Sequence, residues 1–490
     1  MSHTPNPATA APAPNPAPTR QLVEQRSIDY VPRSERHGKV WHQGPFWFAG
    51  NFGLLVMILG YTGPQMGLSL GWSILGSTLG VCFGTFFMAF HANQGPRMGL
   101  PQMIQTRTQF GTRGAILPMA ATVFVYVGFI VFSTITSTQL FQAVIPLPKQ
   151  VFYPVLITTA IVLAIFGYKI VHFVQRWLAY IIIAVFTVVT ISSIWILPAA
   201  ASGPELGWNL VAFVTQFSLA AGFQISYAVY VSDYSRYLPH DASNAKLITW
   251  TYLGAAGSAV WLMALGALLA VKLPSLDGVG GLMAAGNATF IGLGVIAVLT
   301  LASNATMIQD INAYGAMLTG ITILDAFRRV KPTARLRVIG LVIVGAVALA
   351  VALLIPDDYL ASYNTFITLL LYFLIPWTAV NLVDFYLLRH GRYAVADIFK
   401  SDGGVYGRWA WRGIVSYLVG IVAMVPFMVL VDVYTGPVAA AMGGIDLAFV
   451  VGLLVPGVLY YLFWRGVDRS NEEAAIAASN AMLEPAGSAE

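Results

Sequence analysis

The stretch 46–64, FWFAGNFGLLVMILGYTGP, is apolar enough to lie in lipid, yet it carries Gly50, Asn51 and Gly53 at its centre and Gly60, Gly63 and Pro64 at its end. Glycine costs a helix roughly 1 kcal/mol relative to alanine, and a carboxamide facing hydrocarbon has nothing to bond. The segment therefore reads as a membrane helix interrupted in its middle. A second segment repeats the feature: residues 218–239 read SLAAGFQISYAVYVSDYSRYLP, with AAGFQ at 220–224 loosely echoing AGNF at 49–52. Glycine-bearing polar breaks at corresponding places in two halves of a chain point to an inverted repeat with a binding site between broken helices. Small residues also let intact membrane helices pack closely. The amide beside the glycine in both segments favours discontinuity.

Composition sets the class. Of 490 residues, 57% are hydrophobic and 10% charged, against a soluble norm of roughly 45–50% and about 25%. Apolar runs of about 20 residues, the length that crosses a hydrocarbon core, recur along the chain. Because the runs are continuous rather than alternating, they predict helices and not a barrel. Cuts at polar and Gly/Pro-rich breaks give twelve spans, near 46–62, 70–91, 114–141, 151–168, 171–197, 209–232, 247–271, 288–323, 337–355, 360–388, 412–432 and 443–464. The expected organisation is a disordered cytoplasmic tail over 1–40, a transmembrane domain over 41–466 and a cytoplasmic tail over 467–490. Within the domain, repeat one covers about 44–198, repeat two about 207–390, and the last two helices about 411–465. The opening MSHTPNPATAAPAPNPAPT lacks the apolar core of a cleaved signal peptide.

Charge orients the spans. With the N-terminus inside, 24 of the 26 Lys and Arg residues fall in cytoplasmic tails and loops, leaving only Lys149 and Lys272 outside. The positive-inside rule thus predicts an inner membrane protein with both termini cytoplasmic. The basic residues are scattered over short loops, which disfavours nucleic acid as a partner. Phosphate-cradling and zinc-protease motifs are absent and Cys82 is the single cysteine, which disfavours an ATP-driven pump or a metalloenzyme.

Two interior spans carry further polar groups. Residues 301–318 read LASNATMIQDINAYGAML; at 100° per residue Ser303, Thr306, Gln309 and Asp310 share an arc of roughly 120°, with Asn312 about 60° beyond. An ionisable group such as Asp310 at that depth is a functional candidate by default, against the alternative of a structural hydrogen bond to a neighbouring helix. In VFVYVGFIVFSTITSTQ, residues 123–139, Phe129 and Ser133 stand one turn apart on one face.

Three motifs together, RSIDYVPRSERHGKVWHQGPFWFAGNFG from Arg26, GPRMGLPQMIQTRTQFGTRGA from Gly95 and VSDYSRYLP from Val231, resemble those of the nucleobase:cation symporters. These include the purine–cytosine permeases and the hydantoin, allantoin and hydroxymethylpyrimidine transporters. The likeness covers roughly residues 25–465. It implies an all-α LeuT-like fold of two inverted five-helix units with broken helices 1 and 6, plus two C-terminal helices. It also implies secondary active symport of a small nitrogen heterocycle across the lipid bilayer, with no cofactor beyond a coupling Na+ or H+. Carried over, the substrate site falls on Asn51, Gly53, Phe129, Ser133, Gly222, Phe223, Gln224, Gln309 and Asn312, and cation coupling on Gly50, Leu54, Ser303, Thr306 and Asp310. Phe129 stands where relatives usually carry tryptophan, and Met307 where a second hydroxyl for sodium is expected, so a proton on Asp310 is the alternative to sodium. A membrane-embedded enzyme or sensor that binds such a ligand without moving it is the second functional class. Asp233 and Arg236 are read as a structural turn or a cytoplasmic gate at the end of the sixth span.

Overall fold

The computed structural model describes residues 28–166, 168–198, 205–328, 330 and 333–484. Residues 1–27 of the expected N-terminal tail, and Arg329 and Lys331 of the loop after the eighth span, lie outside the described residues. Helix α1 is a bent pair, Val40–Gly50 and Leu54–Gln65, whose halves meet at 69°. It is followed by α2 Leu70–His91, α3 Ile116–Gln142, α4 Lys149–Phe166, α5 Tyr168–Trp195 and α6 Leu210–Ile225. Then come α7 Asn244–Lys272, α8 Leu293–Phe327, α9 Ala334–Leu354, α10 Leu360–Leu382, α11 Trp411–Met424, α12 Ala448–Trp464 and a polar C-terminal helix, α13 Ser470–Leu483. Among the described residues, eight helices are long and apolar enough to cross a bilayer, and α1, α4, α11 and α12 account for the other expected segments.

Local sequence sets where the helices begin. Asn209, Ser243 and Thr333 precede α6, α7 and α9, and each side chain accepts the backbone N–H three residues on, satisfying a donor that the first turn leaves free. The expected helix 412–432 stops early, at Met424, where Pro426 ends the hydrogen-bond ladder. A two-residue ribbon, β1 Val429–Leu430 against β2 Tyr434–Thr435, follows.

The packing is that of two interleaved halves. Helix α1 lies chiefly against α7, and α6 lies against α2. If α6 is the counterpart of α1 and α7 that of α2, these are one contact seen twice, and α3 against α8 sits on the axis between them. Helix α10 is largely enclosed while α9 is mostly bare, 72% against 22% of their apolar windows being buried. Exposed apolar side chains such as Leu354 and Val422 belong to this outer belt, which only lipid accommodates over such an area.

Part of the expected N-terminal tail is folded instead, and the C-terminal tail, for which a short helix or no structure is expected, forms a helix. Residues 28–42 pack onto the bundle, with Val31 fully buried and Arg36 donating to the carbonyls of Val31 and Pro96. Helix α13 is held by Glu472, which accepts from the buried Arg389; that guanidinium also meets Asp384, which accepts from Tyr393 and Tyr460. These two segments then meet: the Tyr30 hydroxyl donates to Glu484 at 2.6 Å, and the Arg33 N–H donates to the same oxygen at 2.9 Å. Burial, with the Glu484 bond, pushes the Tyr30 phenol up to about 12, so it stays a donor. Segments joined this way lie on one side of the bundle.

Candidate functional site

The site begins at the bend in α1. The first half closes with the Asn51 N–H donating to Trp47 O; Gly53, extended at φ −149° and ψ 162°, then opens the second half. The bend frees carbonyls that no helix ladder fully uses, and side chains of other helices reach them. The Asn304 carboxamide of α8 donates to Ala49 O at 3.1 Å and to Phe52 O at 2.7 Å. Tyr227, just past α6, donates to Gly50 O at 3.4 Å, and Tyr363 of α10 donates to Leu55 O at 3.2 Å. Asn51 itself turns outward to donate to Ala255 O of α7 at 2.8 Å. Further along, Gln216 of α6 accepts from Gly63 N–H and donates to Leu59 O. A bent helix survives in apolar surroundings only if its freed groups are satisfied in this manner.

Beside the bend is a cavity. Gly50, Asn51, Gly53 and Leu54 line it from α1, Phe129, Ser133 and Thr136 from α3, Phe223, Tyr227 and Tyr230 from α6 and the turn after it, and Ala305, Ile308, Ile311 and Asn312 from α8. Rings dominate. Phe129 meets Phe223 edge-on, centroids 5.7 Å apart at 88°, whereas Tyr227 lies 6.5 Å from Phe129 with its plane tilted only 36°. A flat ring needs about 3.5 Å to each face, so Phe129 and Tyr227, tilted and both in contact with Phe223, would have to turn and part slightly to take one between them. Above them Tyr230 donates to Asn312 Oδ1 at 2.6 Å, while the Asn312 NH2 has a 3.3 Å bond to Ile308 O of its own helix. Asn312 therefore offers a donor, and the Tyr230 oxygen an acceptor, to whatever enters.

The structure gathers some of the sequence-predicted residues here and leaves others out. Asn51, Gly53, Phe129, Ser133, Phe223 and Asn312, with Gly50 and Leu54, line the cavity. Gly222, Gln224 and Gln309 do not. Helix α6 stays intact through Ile225, and the break comes after it, in a 3-10 turn Ser226–Val229 before the short helix Val231–Ser235. Gly222 serves close packing: a Cβ there would stand 2.8 Å from Ile367 O of α10. Gln224 is fully buried on the side facing α2, and neither it nor the equally buried Gln309 has an amide partner among the described residues. Ser303 and Asp310 also stand outside the cavity lining. They lie roughly 180° and 200° around α8 from Asn312. Ser303 is exposed, and Asp310 is buried away from the bend. The Thr306 hydroxyl donates to Ala302 O of its own helix at 2.8 Å.

Asn304, Tyr227 and Tyr230 are the residues that sequence reading missed. Asn304 sits inside the quoted 301–318 run but about 100° off its polar arc, and the two tyrosines follow the quoted AAGFQ directly. Asp233 accepts from the Gln102 N–H at 2.8 Å, tying the turn after α6 to the loop after α2.

Crossed, broken helices around a cavity of rings and amides define a LeuT-like membrane transporter. The chain belongs to the family of permeases for cytosine/purines, uracil, thiamine and allantoin, whose model matches residues 30–452. It is 37% identical over 446 residues, 90% of this chain and 96% of the other, to YxlA of Bacillus subtilis (strain 168), provisionally named a purine-cytosine permease. It is 25% identical over 467 residues to the purine-cytosine permease fcyB of Emericella nidulans, covering 89% of this chain and 87% of that one. Among solved structures it shares its fold with Mhp1, a nucleobase-cation-symport-1 family transporter in a closed conformation with bromovinylhydantoin bound, with a TM-score of 0.71 at 17% identity, covering 94% of this chain and 99% of that one.

Proposed function

We propose that this chain is a secondary active symporter that imports a nucleobase or a related planar nitrogen heterocycle, of the cytosine, purine, uracil, allantoin or hydantoin type, driven by a sodium or proton gradient. It works from the inner membrane with both termini in the cytoplasm. The observation that supports this best is the cluster of Phe129, Phe223 and Tyr227 rings lining the cavity beside an Asn312 amide held by Tyr230. Two faces hold a flat ring by stacking. The donor and acceptor at its edge then choose among heterocycles whose rims alternate the two. Phe223 closes one end edge-on, and Ser133 and Asn51 add polar atoms near the bend. The purine-cytosine naming of YxlA and fcyB supports the same substrate class.

The test is a thermal-shift screen of purified protein against cytosine, uracil, adenine, hypoxanthine, allantoin and hydantoins, followed by counterflow in proteoliposomes with any compound that stabilises it. One class of heterocycle should raise the unfolding midpoint and exchange across the membrane. Saturable binding without counterflow would mean that the chain senses or processes the ligand and does not carry it.

A further inference from the structure

The bend in α1 bares the carbonyls of Ala49 and Phe52 to each other's neighbourhood, and freed carbonyls of broken membrane helices are where coupling cations bind. Here both oxygens face one nitrogen. Asn304 Nδ2 stands 3.1 Å from Ala49 O and 2.7 Å from Phe52 O, and the side chain is 1% exposed. Carbonyl oxygens only accept, so the atom between them must be the NH2, and each of its two hydrogens has one carbonyl to itself. The neighbouring carbonyls carry donors too, from Tyr227 to Gly50 O and from Tyr363 to Leu55 O. No carboxylate is among the described residues lining the cavity. The Thr306 hydroxyl turns its hydrogen to Ala302 O and is outside the cavity lining, and Ser303 is turned away.

From this arrangement we infer that the Asn304 carboxamide stands in for a cation at the α1 bend, and that the chain needs no sodium. The amide presents two partial positive charges to the two oxygens a cation would use, and it is covalently part of α8. It therefore fastens α1 to α8 at all times, where a bound ion would do so only when loaded. Asn304 is a positioning residue in this account. The inference rests on the symporter reading and narrows it: sodium is then not the coupling ion.

The experiment takes sodium itself as the probe. Thermal unfolding of the detergent-purified full chain is followed by intrinsic fluorescence while sodium chloride replaces choline chloride at constant total salt. The wild-type midpoint should not move. Asn304→Ser withdraws the nitrogen from both carbonyls, leaving Ala49 O with its backbone donor alone, and adds an oxygen, so sodium should raise its midpoint saturably by about 2 °C or more over choline. A wild-type midpoint that climbs saturably with sodium overturns the inference, and so does an Asn304→Ser protein as indifferent to sodium as the wild type. If that variant does not fold, the wild-type arm still decides. A chain that binds none of the heterocycles defeats the symporter reading while leaving this comparison intact, so the two failures are distinguishable.

Discussion

Asn312 and Gln309 stand three residues apart on α8, and packing gives them opposite surroundings. Asn312 lines the cavity with its acceptor taken by Tyr230, whereas Gln309 is sealed in with neither amide atom paired among the described residues. Loss of a hydrogen bond in a desolvated site costs roughly 1–3 kcal/mol, so Asn312→Ala should weaken binding of the stabilising heterocycle by at least about tenfold, read by titration. An unpaired buried amide carries a similar penalty in the fold itself. Gln309→Met should therefore leave that affinity unchanged and raise the unfolding midpoint; a tenfold loss of affinity would return Gln309 to the site. A helical wheel could group Ser303, Thr306, Gln309 and Asp310, but it cannot say which side of α8 faces α1. That is decided by what packs there, and the packed side carries Asn304 and Asn312.

The two broken helices differ in how openly their sequences show the break. In α1 the polar and small residues coincide with it: Asn51 and Gly53 occupy the bend, and Gly53 adopts an extended backbone with open space where a Cβ would stand. In α6 the glycine and the break are separate. Gly222 lets α10 approach, and the turn occurs at Ser226–Val229, where Ser226 donates to Phe223 O at 2.6 Å and no glycine marks the spot. Serine bonding back to a nearby carbonyl competes with the helix ladder, a weaker signal in sequence than glycine. Gly53→Ala should accordingly leave the stability within about 1 kcal/mol of wild type while its methyl narrows the cavity and lowers heterocycle affinity. Gly222→Ala should do the reverse, lowering the stability, and with it the midpoint, by the roughly 1–3 kcal/mol of an overpacked core with affinity retained. Equal effects from the two in both assays would mean that the cavity is not where ligand binds.

For the molecule as a whole, the distribution of Lys and Arg and the meeting of Tyr30 with Glu484 are independent signs that both ends share a side. Reporter fusions near Arg328 should read cytoplasmic and fusions near Lys149 external; reversed signals would sink the orientation. Twelve apolar runs and their charge bias were legible because hydropathy and the cost of moving charge across lipid act on composition alone. The folding of residues 28–42 and of α13 was not. Those segments look like tails because their partners, Pro96 for Arg36 and Arg389 for Glu472, lie 60 and 83 residues away. The closure between Tyr30 and Glu484 has one more consequence. The segment from residue 30 to residue 484, whose two limits are within a hydrogen bond of each other, is nearly a ring, so the order of its two halves depends on where that ring is cut. A circular permutant opened ahead of α6 and joined across this seam keeps every helix beside its present neighbours.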